Sequence, residues 1–412
     1  MNNASVNSGF AAILESALNN PDSFLEKIRP ALTPISDAKF DALAGVLETG
    51  GVVDRQLVAR VFIEHTGKEG AAYLTAKIDI KRPKLFLEAA VILGTLKYEP
   101  ALEPLRSALS GSAPELVLPA VKAIAMLPAS RSVDGTLVDF YLTCTDETKL
   151  AASIRYLLAR HENIVPEMLE KYRGLNADRR MWVLKFLCET ANSESTKLFS
   201  EELDTEPLER GLYAVRGLGK IASEKAVEVL KKHLHNPEWF LRKRIVEALG
   251  MTGKAGAVEP LLTMLGDDSV QVRAAAAESL SKVGGLQPEL LIKKLEQADK
   301  TTKINLVRVM GQLKNEQFIK PLVEVLKDRE ALFFSIDAIG DSGFAQAEFS
   351  LRRLLKDDVW FNRLNALEAL SKLHIAELEQ IAVEAAQDEN DMVRHSAARI
   401  LAALKSGNNK KS

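Results

Sequence analysis

The side chains most capable of chemistry are few and scattered. The histidines are His65, His161, His233, His235, His374 and His395. His233 and His235 stand two apart, which turns them to different sides of a helix and makes them a poor pair of metal ligands. Cys144 and Cys188 sit inside apolar helical patterns. They read as small buried side chains of a reducing compartment rather than as a disulfide. The run Gly250-Met251-Thr252-Gly253-Lys254 superficially suggests a phosphate loop, but no strand precedes it, so it is read as a connector between helices. A G-x-S-x-G elbow and a dinucleotide fingerprint are both missing. The expectation is a non-enzyme with no catalytic, cofactor or metal residues.

Binding chemistry has better candidates. The stretch 236–250 is echoed at 357–371: Trp239, Phe240 and Arg242 match Trp360, Phe361 and Arg363, each offset by 121 residues. Aromatic side chains are enriched among interface anchors, although at a turn they can equally fill a gap between packed units. The first pair lies in 231–244, a segment with five Lys or Arg and one acidic residue. Trp239, Phe240, Lys243, Arg244, Trp360 and Phe361 are therefore the candidate partner-binding residues. The partner expected is another protein with an acidic segment.

Composition bounds the elements that could position them. The 412-residue chain is 47% apolar, 27% charged and 6% aromatic, which is the usage of a Leu/Ala-rich helical protein. A formal net charge of -2 gives no global field toward nucleic acid or an anionic membrane. Residues 1–20 lack the charged start and continuous apolar core of a secretory signal. No window approaches the length of a membrane span. The expected location is the cytoplasm.

A repeat organises the chain. Small residues that follow an apolar pair recur at Gly250, Ser281, Gly311, Gly340, Ser371 and Ala402, in steps of 31, 30, 29, 31 and 31. Upstream, Gly219 and Cys188 continue the period, with weaker matches at Ala159, Ala125 or Met126, and Gly94. The 121-residue echo is four such periods. Each unit reads as two short helices. In 256–265 Pro260 falls in a first turn, Asp267, Asp268 and Ser269 can cap the next helix, and Gly284-Gly285 ends it as a glycine C-cap. A pair this short cannot bury both apolar stripes alone, so neighbouring pairs must stack.

The run D-D-S-V-Q-V-R-A-A-A-A-E-S-L at 267–280, with its period and Ala-rich second helix, resembles the HEAT repeat. It is most similar to the short bacterial variety named after phycobilisome lyases. The resemblance implies an all-α, right-handed α-solenoid of about eleven stacked helix pairs. The expected order is a tail at 1–9, a helical cap at 10–54, divergent repeats at 55–200, regular repeats at 201–405 and a tail at 406–412. It also implies a structural role for Arg242, Arg273, Arg363, Arg394 and Asp268, as an Asp–Arg ladder between turns. Lys303 and Leu332 occupy the arginine slot in two units, where the ladder should be interrupted.

Enzymes on similar scaffolds need features this chain lacks. HEAT-like metal hydroxylases carry several His-Glu dipeptides, and here His161-Glu162 stands alone. The function expected is a protein-binding scaffold or adaptor. A phycobilin-lyase-like subunit or chaperone, and a nucleic-acid-binding helical repeat, are the alternatives.

Overall fold

The computed structural model describes residues 3–111, 113–205, 208–283, 286–373 and 375–408, with the side chains of 9–406. The chain is an all-α solenoid, with no strand among the described residues. It divides into two compact units, Met1–Ser195 and Thr196–Ser412. Gly284-Gly285 and residues 409–412 lie outside the described residues. Helix is present from Asn3 and as far as Asn408, so it enters both segments expected as tails.

In the first unit the second helices of successive pairs include Pro83–Thr95, Pro114–Met126, Glu147–Leu158 and Ala177–Thr190. Two of them start on proline, whose missing N–H costs nothing in a first turn. Asp146 accepts from the backbone N–H groups of Thr148 and Lys149, at 3.0 and 3.1 Å, and so fixes a third start. This unit is less regular. Phe62–Thr66 is a π-helical turn between Val52–Val61 and Gly67–Lys77. Lys39 is buried, and its ammonium caps the end of helix Phe24–Leu32 through the carbonyls of Ala31 (2.8 Å), Leu32 (3.3 Å) and Pro34 (2.9 Å).

The second unit is a run of seven helix pairs among its described residues. The second helices are Leu208–Ile221, Trp239–Thr252, Val270–Lys282, Lys300–Leu313, Leu332–Ser342, Trp360–Lys372 and Asp391–Asn408. Each packs against the next along the series. The landmark glycines of the sequence period mark the closest approach. A Cβ at Gly219 would stand 3.1 Å from Ala248 Cα, one at Gly311 2.7 Å from Ala338 Cα, and one at Gly340 3.0 Å from Ala369 Cα. At these glycines the following second helix crosses with no room for a side chain.

Helix ends follow the same period. Gly253 and Gly343 stop their helices at φ of +61° and +77°, the left-handed conformation that glycine enters without strain. Ala222 and Lys314 occupy the equivalent positions at φ of +49° and +48°. Between the helices of a pair, Asp267, Asp328, Asp357 and Asp388 each accept a bond from the backbone N–H two residues on, at 2.8 to 3.1 Å. These Asx turns aim the carboxylates back along the stack.

Candidate binding surface

The arginine slot shows what those carboxylates do. Arg242 donates to both oxygens of Asp267, 25 residues on in the following repeat, at 2.8 and 2.9 Å. Its remaining nitrogen, Nη1, holds the carbonyls of Asn236 and Pro237 in its own turn. Arg363 repeats the arrangement with Asp388 at 2.9 and 2.8 Å, adds Glu389 at 3.0 Å, and is 6% exposed. A bidentate fork of this kind satisfies the carboxylate and the guanidinium together. The Arg363 guanidinium holds the Asp388 carboxyl below its ordinary value, against desolvation. Arg273 and Arg394 reach the carbonyls of their own turns, Asp267–Asp268 and Asp388–Glu389. Arg394 also pairs with Asp391 beside it.

Two sequence readings change here. The carboxylate that takes the rung is that of Asp267. Asp268 contributes its main-chain carbonyl to Arg273, because the first residue of the Asp-Asp pair forms the Asx turn. Lys303 does not interrupt the ladder: its ammonium reaches Asp328 at 2.8 Å, again 25 residues on. Leu332 has no polar atom to offer. Asp357, the carboxylate at the matching place, accepts instead from Val359 N and Asn362 Nδ2.

The aromatic pairs open their second helices at equivalent places. Trp239 and Phe240 meet edge to face at 6.2 Å, and Trp360 and Phe361 at 5.7 Å. Trp239, Trp360 and Phe361 are 44%, 40% and 41% exposed. They are solvent-facing side chains more than fillers between repeats. The second pair is larger than the sequence suggested. Phe333, from the preceding second helix, stacks on Phe361 at 5.4 Å and meets Phe334 at 5.1 Å. Arg308 covers the Phe334 ring at 5.3 Å. Four aromatic rings from two repeats thus form one cluster, with Phe333, Trp360 and Phe361 exposed and Phe334 half-buried.

The basic segment around the first pair is largely neutralised. Arg242 is committed to Asp267, Lys231 pairs with Glu228 at 2.9 Å, and Lys243 and Arg244 share Glu247 at 3.6 and 2.8 Å. Lys232 and His235 are exposed. The structure does not bring the 231–244 segment and the 360–361 pair together into one site. They stand four repeats apart along the second unit.

The histidines do not converge. His161 bonds Leu158 O at the end of the preceding helix, His395 bonds Asp391 O in its own helix, and His233 reaches Val229 O and Asp204 Oδ1. His374 lies outside the described residues. Among the described residues no three of His, Cys, Asp or Glu group as a metal site. Both cysteines are free thiols, and Cys188 is buried. In the run 250–254 the helix ends at Thr252, and its hydroxyl donates to Leu249 O at 2.7 Å. A phosphate would face carbonyls there, which is the wrong pole of the helix. No described helix is long and apolar enough to cross a membrane.

Comparison with known proteins finds a family likeness for part of the chain. Residues 180–281 match the family model of HEAT repeats. No curated protein sequence matches. Solved structures with a similar course include Kap121p, at 13% identity and a TM-score of 0.42, covering 97% of this chain and 57% of that one. Kap121p bound to Ste12p has 10% identity, a TM-score of 0.43, and coverage of 97% and 53%. Importin beta has 12% identity, a TM-score of 0.37, and coverage of 95% and 64%. The chain spans between half and two thirds of the length of these structures.

Proposed function

We propose that this chain is a non-catalytic protein-binding scaffold. Its principal docking surface is the cluster of Phe333, Phe334, Trp360 and Phe361 at the start of two neighbouring second helices. The observation that supports it is the exposed Phe333–Phe361 stack. Large apolar rings grouped on a rigid helical frame lose little entropy on docking and carry a disproportionate share of interface energy. Trp239, Phe240, Lys243 and Arg244 form a second, smaller patch in the same register. The likeness to lyase-type short repeats belongs to the repeat unit, and no activity is carried over from it.

The test is binding of a partner recovered from native extract and then purified, measured by calorimetry. Trp360→Ala combined with Phe361→Ala should weaken the complex by about 30-fold or more, the loss of a hot-spot pair, with far-UV helicity unchanged. Trp239→Ala with Arg244→Ala should weaken it less. Unchanged affinity in both double variants would refute the proposal.

A further inference from the structure

A groove of about 560 Å³ opens between helix Glu348–Leu354 and helix Leu378–Ala385, and none of the four clustered rings lines it. Its apolar lining includes Ile381 and Val393, both nearly buried. Phe349 stands at its mouth, 74% exposed, the most exposed large apolar side chain among the described residues. One short helix and the turn that follows it therefore bring an unshielded aromatic ring, Arg353 and Lys356 to a recess with apolar walls.

The charges in the groove are unequally matched. Arg352 is paired with two carboxylates, donating to Glu348 and to Glu377 of the next repeat, both at 2.7 Å. Arg363 and Asp388 neutralise each other in the ladder. Arg353 and Lys356 are exposed, and no described carboxylate lies within ion-pairing distance of either. Against them the groove sets one carboxylate without a cation, Glu384, which accepts a long 3.4 Å bond from Gln380. What the site lacks is a pair of external carboxylates beside an aliphatic group.

Resting on the protein-binding reading above, we propose that this groove receives an acidic, aliphatic segment of the protein partner. An aliphatic side chain enters between Phe349, Ile381 and Val393, and flanking Asp or Glu residues meet Arg353 and Lys356. Volume, apolar walls and charge all fit that occupant. A nucleic-acid backbone fits less well: affinity for phosphates grows with the number of cations contacted, and two cations with Glu384 among them give a weak foothold. The acidic partner segment expected from sequence thus finds its match at 349–393 rather than at the neutralised 231–244.

The test is selection of a random dodecapeptide library against the whole chain, then anisotropy with the recovered peptides. The expected peptides carry two or more acidic residues around Leu, Ile or Val. Their affinity should fall by at least about tenfold in Arg353→Glu/Lys356→Glu, where attraction becomes repulsion, and should also fall in Phe349→Ser. Trp360→Ala/Phe361→Ala should leave it unchanged, so this proposal and that for the aromatic cluster fail separately. Recovery of no acidic peptide, or equal affinity for the charge-reversed variant, overturns the inference. So does a labelled oligothymidine that binds the wild type and is lost in the same variant, which would assign the groove to nucleic acid.

Discussion

Gly311 offers the sharpest test of the packing argument. A Cβ placed there would stand 2.7 Å from Ala338 Cα and 2.8 Å from Ala338 O, against the 3.5–4.0 Å or so at which carbon atoms pack without repulsion. The obstacle is backbone, which cannot swing aside. To accept Gly311→Ala, helices Lys300–Leu313 and Leu332–Ser342 must separate by several tenths of an ångström. Overpacking of this kind costs about 1–3 kcal/mol. Relief of glycine's helical penalty returns about 0.5–1 kcal/mol, which leaves a net loss of up to about 2.5 kcal/mol. Gly211, in helix Leu208–Ile221 of the same unit, is the matched control. Its nearest atom is Glu202 O at 3.7 Å, ordinary contact, so Gly211→Ala keeps only the propensity term and should gain about 0.5 kcal/mol or more. Urea unfolding followed by circular dichroism gives the signs, and hydrogen exchange locates the loss at the 300–342 junction. A Gly311→Ala protein as stable as the wild type, with unchanged exchange there, would refute the claim that the period is set by helix crossing.

Other consequences are equally direct. Ala222→Gly should raise the urea midpoint, since a non-glycine residue at φ +49° costs about 1–2 kcal/mol and glycine's own entropy returns only part of it; a lower midpoint would contradict this. Arg363→Met should cost about 2–4 kcal/mol, because it strands a carboxylate that was paired and part-buried. Asp388 titrates below its unfolded value, so its contribution is complete above about pH 4 and drains away as pH falls through the folded pKa. Acid titration of stability should therefore be flatter in Arg363→Met than in the wild type, and parallel curves would disprove the linkage. Lys303→Arg should turn a single contact with Asp328 into a fork, with a gain below about 1 kcal/mol; a destabilised variant would show the lysine geometry to be required.

The period was legible because a residue small enough for two helices to cross cannot drift far in a stack of equal pairs. Hence Gly219, Gly250, Gly311 and Gly340 surface in the sequence one, two and one periods apart. The ladder was legible for a similar reason, since a guanidinium in a turn needs a partner at fixed reach. Which of Asp267 and Asp268 supplies it was not, because two adjacent carboxylates differ only in the turn geometry that one of them makes. Lys303 was underestimated because ammonium and guanidinium differ in fork shape more than in reach. Phe333 escaped notice because its repeat has lost the slot residue, with Leu332 in its place, and because its stacking partner lies 28 residues away. The groove at Phe349 draws on four successive helices and their ends, and no local pattern announces such a convergence. In the first unit the buried pair Arg160–Asp134, at 2.6 Å, was hidden likewise, since it runs opposite to the ladder's direction.

The uneven rungs of the second unit also bear on how it would yield under load. Two junctions are clamped by forked ion pairs, at Arg242 and Arg363, and one by a single ammonium at Lys303. The junction after Arg273 has no such rung, and there Asn305 donates across to Leu265 O at 3.1 Å. The junction after Leu332 is tied on the helix side instead, where the Lys372 ammonium reaches Asp337 and Asp341 at 2.9 and 2.7 Å. The rings of Phe333 and Phe361 straddle that same junction. A partner gripping both rings would add a second tie to a seam otherwise held by one ammonium and apolar burial, so that its arrival stiffens the region it occupies.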